Sequence, residues 1–189
     1  MMQWKYGDAW EHYPIERGQV WGIPANGSKV AVHDIFEPLP AFVRETDLLF
    51  IDPPWNQGNL NAFYTKAGRS DYQEWMQFTA IVFRRIAEIS PATCYIEIGN
   101  QFVDDWHGRL SSLYPVIQRW PVVYYRKHPT NILRGGAVPI DYDFTGMDEA
   151  KAIGVIGQID GRGTMGDICM GQGLVGLSAW AAGDRKSVV

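Results

Sequence analysis

Apolar and polar residues along the chain alternate between two periods, and the changes of period mark out the elements. Residues 29–36 read Lys-Val-Ala-Val-His-Asp-Ile-Phe, a short β-branched run, and residues 47–52 form an apolar run that ends at a double proline. Both predict strands. Between residues 70 and 90, Trp75, Phe78, Ile81, Val82, Ile86 and Ile89 recur at helical spacings, with Ser70 or Asp71 as N-cap and Pro91 as the stop. Residues 93–98 predict a strand ending in Gly99-Asn100, and residues 104–114 a second helix. Residues 115–126 read as two strand pieces around Trp120-Pro121, followed by a glycine- and proline-bearing loop over 128–142. Thr145 or Asp148 can cap a helix reaching about Ile159, and Gly161-Arg162-Gly163 makes a turn. A strand (165–170), a glycine turn, a helix (174–182) and a short terminal strand (186–189) complete the pattern. Residues 1–27 show little periodicity and read as an irregular arm. Strands alternating with helices imply a single α/β domain, with a mostly parallel sheet that includes an antiparallel strand pair.

Composition narrows the function classes. At 189 residues and 46% apolar content, the chain can bury one sizeable core without disulfides or metals. No apolar run approaches the roughly 20 residues that span a bilayer, and residues 1–13 lack the pattern of a signal peptide, so a cytoplasmic location is expected. Cys94 and Cys169 sit in apolar runs without metal-ligand spacing, which predicts two free buried thiols and no metal site. A net charge of −4 argues against a long nucleic-acid footprint. Positive charge is concentrated at Arg126, Lys127, His128 and Arg134, beside Tyr124 and Tyr125. That stretch either contacts phosphate or is a solvated loop at a strand end.

The sharpest chemical signal is Asp52-Pro53-Pro54-Trp55, directly after Leu48-Leu49-Phe50-Ile51. In open α/β sheets ligands bind at the carboxyl ends of strands, where this motif falls. An aromatic exocyclic amine is a poor nucleophile because its lone pair is delocalised, and accepting hydrogen bonds from both of its N–H groups localises that pair. The Asp52 carboxylate and the Pro53 carbonyl can be the two acceptors, with the prolines stiffening the backbone. Trp55 can stack on a base turned out of its helix. The structural alternative is a capped, proline-stiffened turn with Trp55 filling core.

The motif resembles that of the amino-methylating, S-adenosylmethionine-dependent methyltransferases with an Asp-Pro-Pro-aromatic signature, which include bacterial and phage DNA adenine methylases. The resemblance implies a Rossmann-like methyltransferase fold, a cofactor pocket beside a target-base pocket, and a catalytic role for Asp52, Pro53, Pro54 and Trp55. It also gives meaning to Gly166-Asp167-Ile168-Cys169-Met170-Gly171-Gln172-Gly173, a glycine turn that on its own is equally a close-packed strand-to-helix bend. By resemblance, Asp167 serves the ammonium group of S-adenosylmethionine, Gly171 and Gly173 offer backbone contacts, and Cys169 lies in the same loop. Asp34, at the end of the preceding strand, resembles the acid that holds the cofactor's adenine amine, with Phe36 lining that ring; turn chemistry explains Asp34 equally well. The catalytic motif precedes the glycine loop, as in the circularly permuted members of this group.

Two departures qualify the expectation. The family's strand after the glycine-loop helix ends in an acid for the ribose hydroxyls, whereas this sequence has Lys186-Ser187-Val188-Val189 there. Weakened cofactor binding follows, since a lost charge-assisted hydrogen bond costs about 1.5–3 kcal/mol. Gln172, where the family often has serine, is a milder change. The only candidate target-recognition loop spans 126–142, where Lys127, His128, Thr130, Asn131 and Arg134 can reach phosphates or a few base edges. So short a loop implies relaxed specificity, single-stranded substrates, or a homodimer or partner subunit that enlarges the surface. The first expectation is methylation of N6 of adenine in DNA. N4 of cytosine and adenine in RNA share the same amine geometry, and a catalytically silent nucleic-acid- or protein-binding module is the alternative of another class.

Overall fold

The computed structural model describes residues 18–23, 27–66, 70–124, 127–160 and 163–169. Strands β1 (Val20–Ile23) and β2 (Ser28–Ala31) form an antiparallel hairpin that is a sheet of its own. The main sheet has the order β5-β6-β4-β3-β7, built from β3 (Leu48–Ile51), β4 (Thr93–Gly99), β5 (Val116–Tyr124), β6 (His128–Gly136) and β7 (Met165–Gly166). β3 runs parallel to both β4 and β7, while β6 is antiparallel to β4 and β5. A single reversed strand therefore interrupts an otherwise co-directional sheet, which agrees with the mostly parallel α/β architecture expected.

β3 lies inside the sheet, between β4 and β7, and its burial suits that place: Leu48, Leu49, Phe50 and Ile51 are at most 1% exposed, the uninterrupted apolar run of a strand covered on both faces. Leu49, Ile51, Ile96 and Ile98 pack under α2 (Trp75–Ile89) and α3 (Val103–Ser111). Leu48, Phe50 and Tyr95 face α4 (Glu149–Ile159), whose Ala152, Ile153 and Ile156 are fully buried. Among the described residues no helix is long and apolar enough to cross a membrane.

Four local readings are corrected. Helix α2 starts at Trp75, later than residue 70, because its N-terminus is capped from another element: Gln57 Oε1 accepts the Trp75 N–H at 2.6 Å. It ends where expected, with Ser90 in the left-handed region (φ 53°) donating its N–H to the Ile86 carbonyl. A helix with no clear sequence signal, α1 (Gln57–Lys66), follows the Asp52–Trp55 motif directly. Residues 116–124 are one continuous strand, since Pro121 lies in an edge strand, where the missing N–H is tolerated.

The fourth correction bears on function. Residues 128–136 of the expected loop form β6, between β4 and β5. Thr130, Asn131 and Arg134 find partners inside the protein. Thr130 donates to Glu97 Oε1 (2.7 Å), and Asn131 donates to Asn100 Oδ1 (2.7 Å) and accepts from Arg119 Nε (2.9 Å). Arg134, 2% exposed, donates from Nε to Asp160 (2.8 Å) and from Nη1 to the Val138 carbonyl (2.8 Å). Gly135 is required because the Tyr114 ring occupies the space a Cβ would need.

Candidate active site

At the carboxyl end of β3 the chain leaves the sheet as Asp52-Pro53-Pro54-Trp55 and turns at once into α1. Each part is held. Trp55 donates its indole N–H to Asp52 Oδ1 (3.0 Å), stands edge-on to Tyr124 with ring centroids 5.0 Å apart, and lies against Gly99 at the end of β4. A Cβ at Gly99 would come within 3.2 Å of the indole, so glycine there lets the ring sit down on the strand end. The Pro54 carbonyl accepts the Trp75 indole N–H (3.2 Å), which ties the motif to α2. Asn56 Oδ1 accepts the Asn59 N–H (3.0 Å) and starts α1. Among the described residues neither Asp52 Oδ2 nor the Pro53 carbonyl takes part in any hydrogen bond, so the two acceptors singled out from the sequence are uncommitted.

Two cavities meet at this motif. The larger, about 370 Å³, is bordered by Asp34, Ile35, Asp52, Phe63, Ile168 and Cys169, among others. The smaller, about 130 Å³, is bordered by Asp52, Pro53, Trp55, Asn59, Phe63 and Tyr124. Asp52, Pro54 and Phe63 border both. A third hollow of about 280 Å³ adjoins the larger one through His33, Ile35 and Ile168, and has Asp167 in its wall.

Carboxyl groups collect behind the motif. Burial raises Asp52 to about 6, partly offset by the Trp55 hydrogen bond. Asp167 rises to about 7, chiefly by burial, although its carboxylate accepts the Cys169 N–H at 2.7 Å. Glu97, fully buried on β4, is pushed to about 9 by burial and then by Glu149 and Asp52; among the described residues its Oε2 has no partner. Glu149 at the start of α4 rises to about 8, by burial and then by Asp52, Asp148 and Asp167. Desolvation disfavours the charged form, and neighbouring carboxylates add to it. Glu97 and Glu149 therefore hold protons at neutral pH, while Asp52, in contact with the cavities, is largely ionised.

The structure brings together Asp34, Asp52, Pro54 and Cys169 around the larger cavity, and Asp52 through Trp55 around the smaller. Asp34 holds its own turn, accepting the Phe36 N–H at 3.0 Å, and Phe36 packs on the apolar core while Ile35 borders the cavity. Asp34 follows the separate β1–β2 hairpin and not a strand of the main sheet, a correction to the sequence reading. Lys127 and His128 are exposed at the start of β6, next to Tyr124. Asn131 and Arg134, expected to face nucleic acid, are 2% exposed and committed to internal partners, so their polar groups are withdrawn from that role. Cys94 is fully buried and Cys169 only partly. Gly171, Gln172, Gly173, Arg126 and the segments 174–182 and 186–189 lie outside the described residues. Sequence reasoning missed Asn59, Phe63 and Tyr124, which lacked any motif, and the buried acids Glu97 and Glu149. A lone glutamate within the apolar run Tyr95-Ile96-Glu97-Ile98 was a signal that could have been used. Among the described residues, no group of His, Cys, Asp and Glu side chains is arranged to hold a metal ion.

No family model matches the sequence, and no curated protein matches it. The fold is similar to the crystal structure of M1.HpyAVI, with a TM-score of 0.50 at 12% identity over 76% of this chain and 80% of that one. A structure described as an M1.HpyAVI–SAM complex aligns with a TM-score of 0.47 at 12% identity, over 76% and 81% of the two chains. The architecture is that of a Rossmann-like methyltransferase fold.

Proposed function

We propose that this chain transfers a methyl group from S-adenosylmethionine to the exocyclic amine of a nucleic-acid base, N6 of adenine in DNA. The carrying observation is the position of Asp52-Pro53-Pro54-Trp55: it forms the wall between a larger and a smaller cavity at the carboxyl end of β3. The larger cavity fits the methyl donor by its chemistry. Asp34 and Asp52 offer negative charge to a ligand that carries a sulfonium and an ammonium, and Ile35, Leu60 and Phe78 offer apolar walls to a flat ring. The smaller cavity, with three aromatic side chains and the uncommitted acceptors, fits a base.

The chain's own residues have the following roles in this reading. The Asp52 carboxylate and the Pro53 carbonyl take the two amine N–H groups and hold the nitrogen lone pair toward the larger cavity. S-adenosylmethionine supplies an electrophilic methyl group on a sulfonium, so little is required of the protein beyond placement. The amine proton released on transfer passes to Asp52, whose raised value near 6 suits a group that must accept and then release a proton near neutrality. Trp55 keeps Asp52 Oδ1 in place, leaving Oδ2 for the substrate. Gly171 and Gly173 are proposed to contact the cofactor with Asp167 and Cys169, in the permuted order that the sequence resembles. Lys127 and His128 are proposed to contact the phosphates near the small cavity.

The test is transfer of labelled methyl to unmethylated duplex DNA, single-stranded DNA and RNA, with identification of the modified base and Asp52→Ala as control. Label in N6-methyladenine that vanishes in the variant supports the reading. Label in N4-methylcytosine or in RNA replaces the substrate, and transfer to none of them, with no binding of S-adenosylmethionine, overturns it.

A further inference from the structure

Of the polar groups that border the small cavity, the chemistry above leaves the Asn59 carboxamide and the Tyr124 hydroxyl unused. Asn59 sits in the first turn of α1, its main-chain N–H fixed by Asn56 Oδ1, while its carboxamide makes no hydrogen bond among the described residues. It borders the small cavity and not the large one. Phe63, four residues on and therefore on the same face of the helix, borders both and is 48% exposed. Trp55, which also borders the cavity, is held by Gly99, Tyr124 and Asp52. The space is thus a slot with aromatic rings in its walls, a carboxylate that accepts, and an amide that both donates and accepts.

We infer that Asn59 selects the target base by donating a carboxamide N–H to N7 of adenine. This rests on the reading under Proposed function and names the base it takes. Asp52 identifies an amine, but every amino-bearing base has one, so a carboxylate alone does not distinguish adenine from cytosine. A carboxamide does: its N–H donates to the N7 acceptor beside the amine, while Asp52 and Pro53 take the amine's own two N–H groups. Cytosine has a C–H at the corresponding position and leaves the donor unpaired. Phe63 stacks on the base and presents its edge to Asn59, since aromatic faces accept any base and carry no edge information.

The experiment compares wild type with Asn59→Ala on oligonucleotides that hold adenine, 7-deazaadenine or 1-deazaadenine at the target, together with binding of labelled S-adenosylmethionine. Wild type should lose about tenfold or more in kcat/KM when N7 is replaced. Asn59→Ala should lose a similar factor on adenine, show no further loss on 7-deazaadenine, and bind S-adenosylmethionine as wild type does. Retained N7 sensitivity in the variant, equal wild-type rates on adenine and 7-deazaadenine, or a loss confined to 1-deazaadenine would each overturn the assignment while leaving the methyltransferase reading intact. Absence of wild-type transfer to every base overturns both.

Discussion

Glu97 should make the protein less stable as pH rises, and Glu97→Gln should remove that effect. The side chain is fully buried, with Oε1 accepting the Thr130 hydroxyl at 2.7 Å and Oε2 without a partner among the described residues. Burial, then Glu149 and Asp52, raise it from 4.5 to about 9. A folded-state value above the unfolded one means that the folded protein holds a proton which the unfolded chain releases. The associated stability is complete below 4.5 and is lost as pH climbs toward about 9. Each pH unit within that window is worth about 1.36 kcal/mol, so wild type should lose about 4 kcal/mol from this group between pH 5 and pH 8. Glutamine keeps the oxygen that Thr130 donates to, fills the same volume and does not titrate. Denaturant unfolding of both proteins across this range is the assay. The variant should gain stability over wild type with rising pH, the gap widening by a few kcal/mol. A gap that does not change with pH, or a variant weaker than wild type at pH 8, would refute a neutral Glu97.

Three further outcomes follow from the same geometry. Methyl transfer should fall as pH drops through about 6, because Asp52 must be ionised to accept the amine and burial has raised it to that value; a pH profile of kcat/KM locates this limb, and Asp52→Asn should abolish transfer. Asp160→Asn should destabilise the fold by about 3 kcal/mol or more, since it leaves the buried Arg134 guanidinium without its carboxylate, which a shift in denaturation midpoint would measure. Gly99→Ala should lower kcat several-fold with little change in stability, because the new methyl group at 3.2 Å pushes the Trp55 indole, and with it the hydrogen bond that orients Asp52, out of place; steady-state kinetics beside thermal melting separates the two effects.

Where a residue's role depends on its chain neighbours, it was legible beforehand. The run Leu48–Ile51 announces a strand buried on both faces, and the prolines after it must end that strand, so Asp52 had to stand at a carboxyl end. The apolar spacing from Trp75 to Ile89 likewise prescribes an amphipathic helix whatever it packs against. Helix α1 was invisible because Gly58, Asn59 and Asn61 are weak helix formers; Asn56 starts its first turn, and Leu60 anchors it in the core.

Strand β6 shows the limit most clearly. His-Pro-Thr-Asn-Ile-Leu-Arg-Gly-Gly is loop-like by composition, and polarity along a sequence cannot distinguish a side chain paired with water from one paired inside. The partners Glu97, Asn100, Tyr95 and Asp160 stand 26 to 39 residues away from the β6 side chains they meet. They turn Asn131 and Arg134 from presumed nucleic-acid contacts into internal ties. The same non-local meeting brings Tyr124 to the slot that Asp52 borders with Asn59 and Phe63 of the helix following the motif. The chemistry of the motif was therefore written locally, whereas the shape of what it acts on was settled by segments that become neighbours only when the sheet assembles.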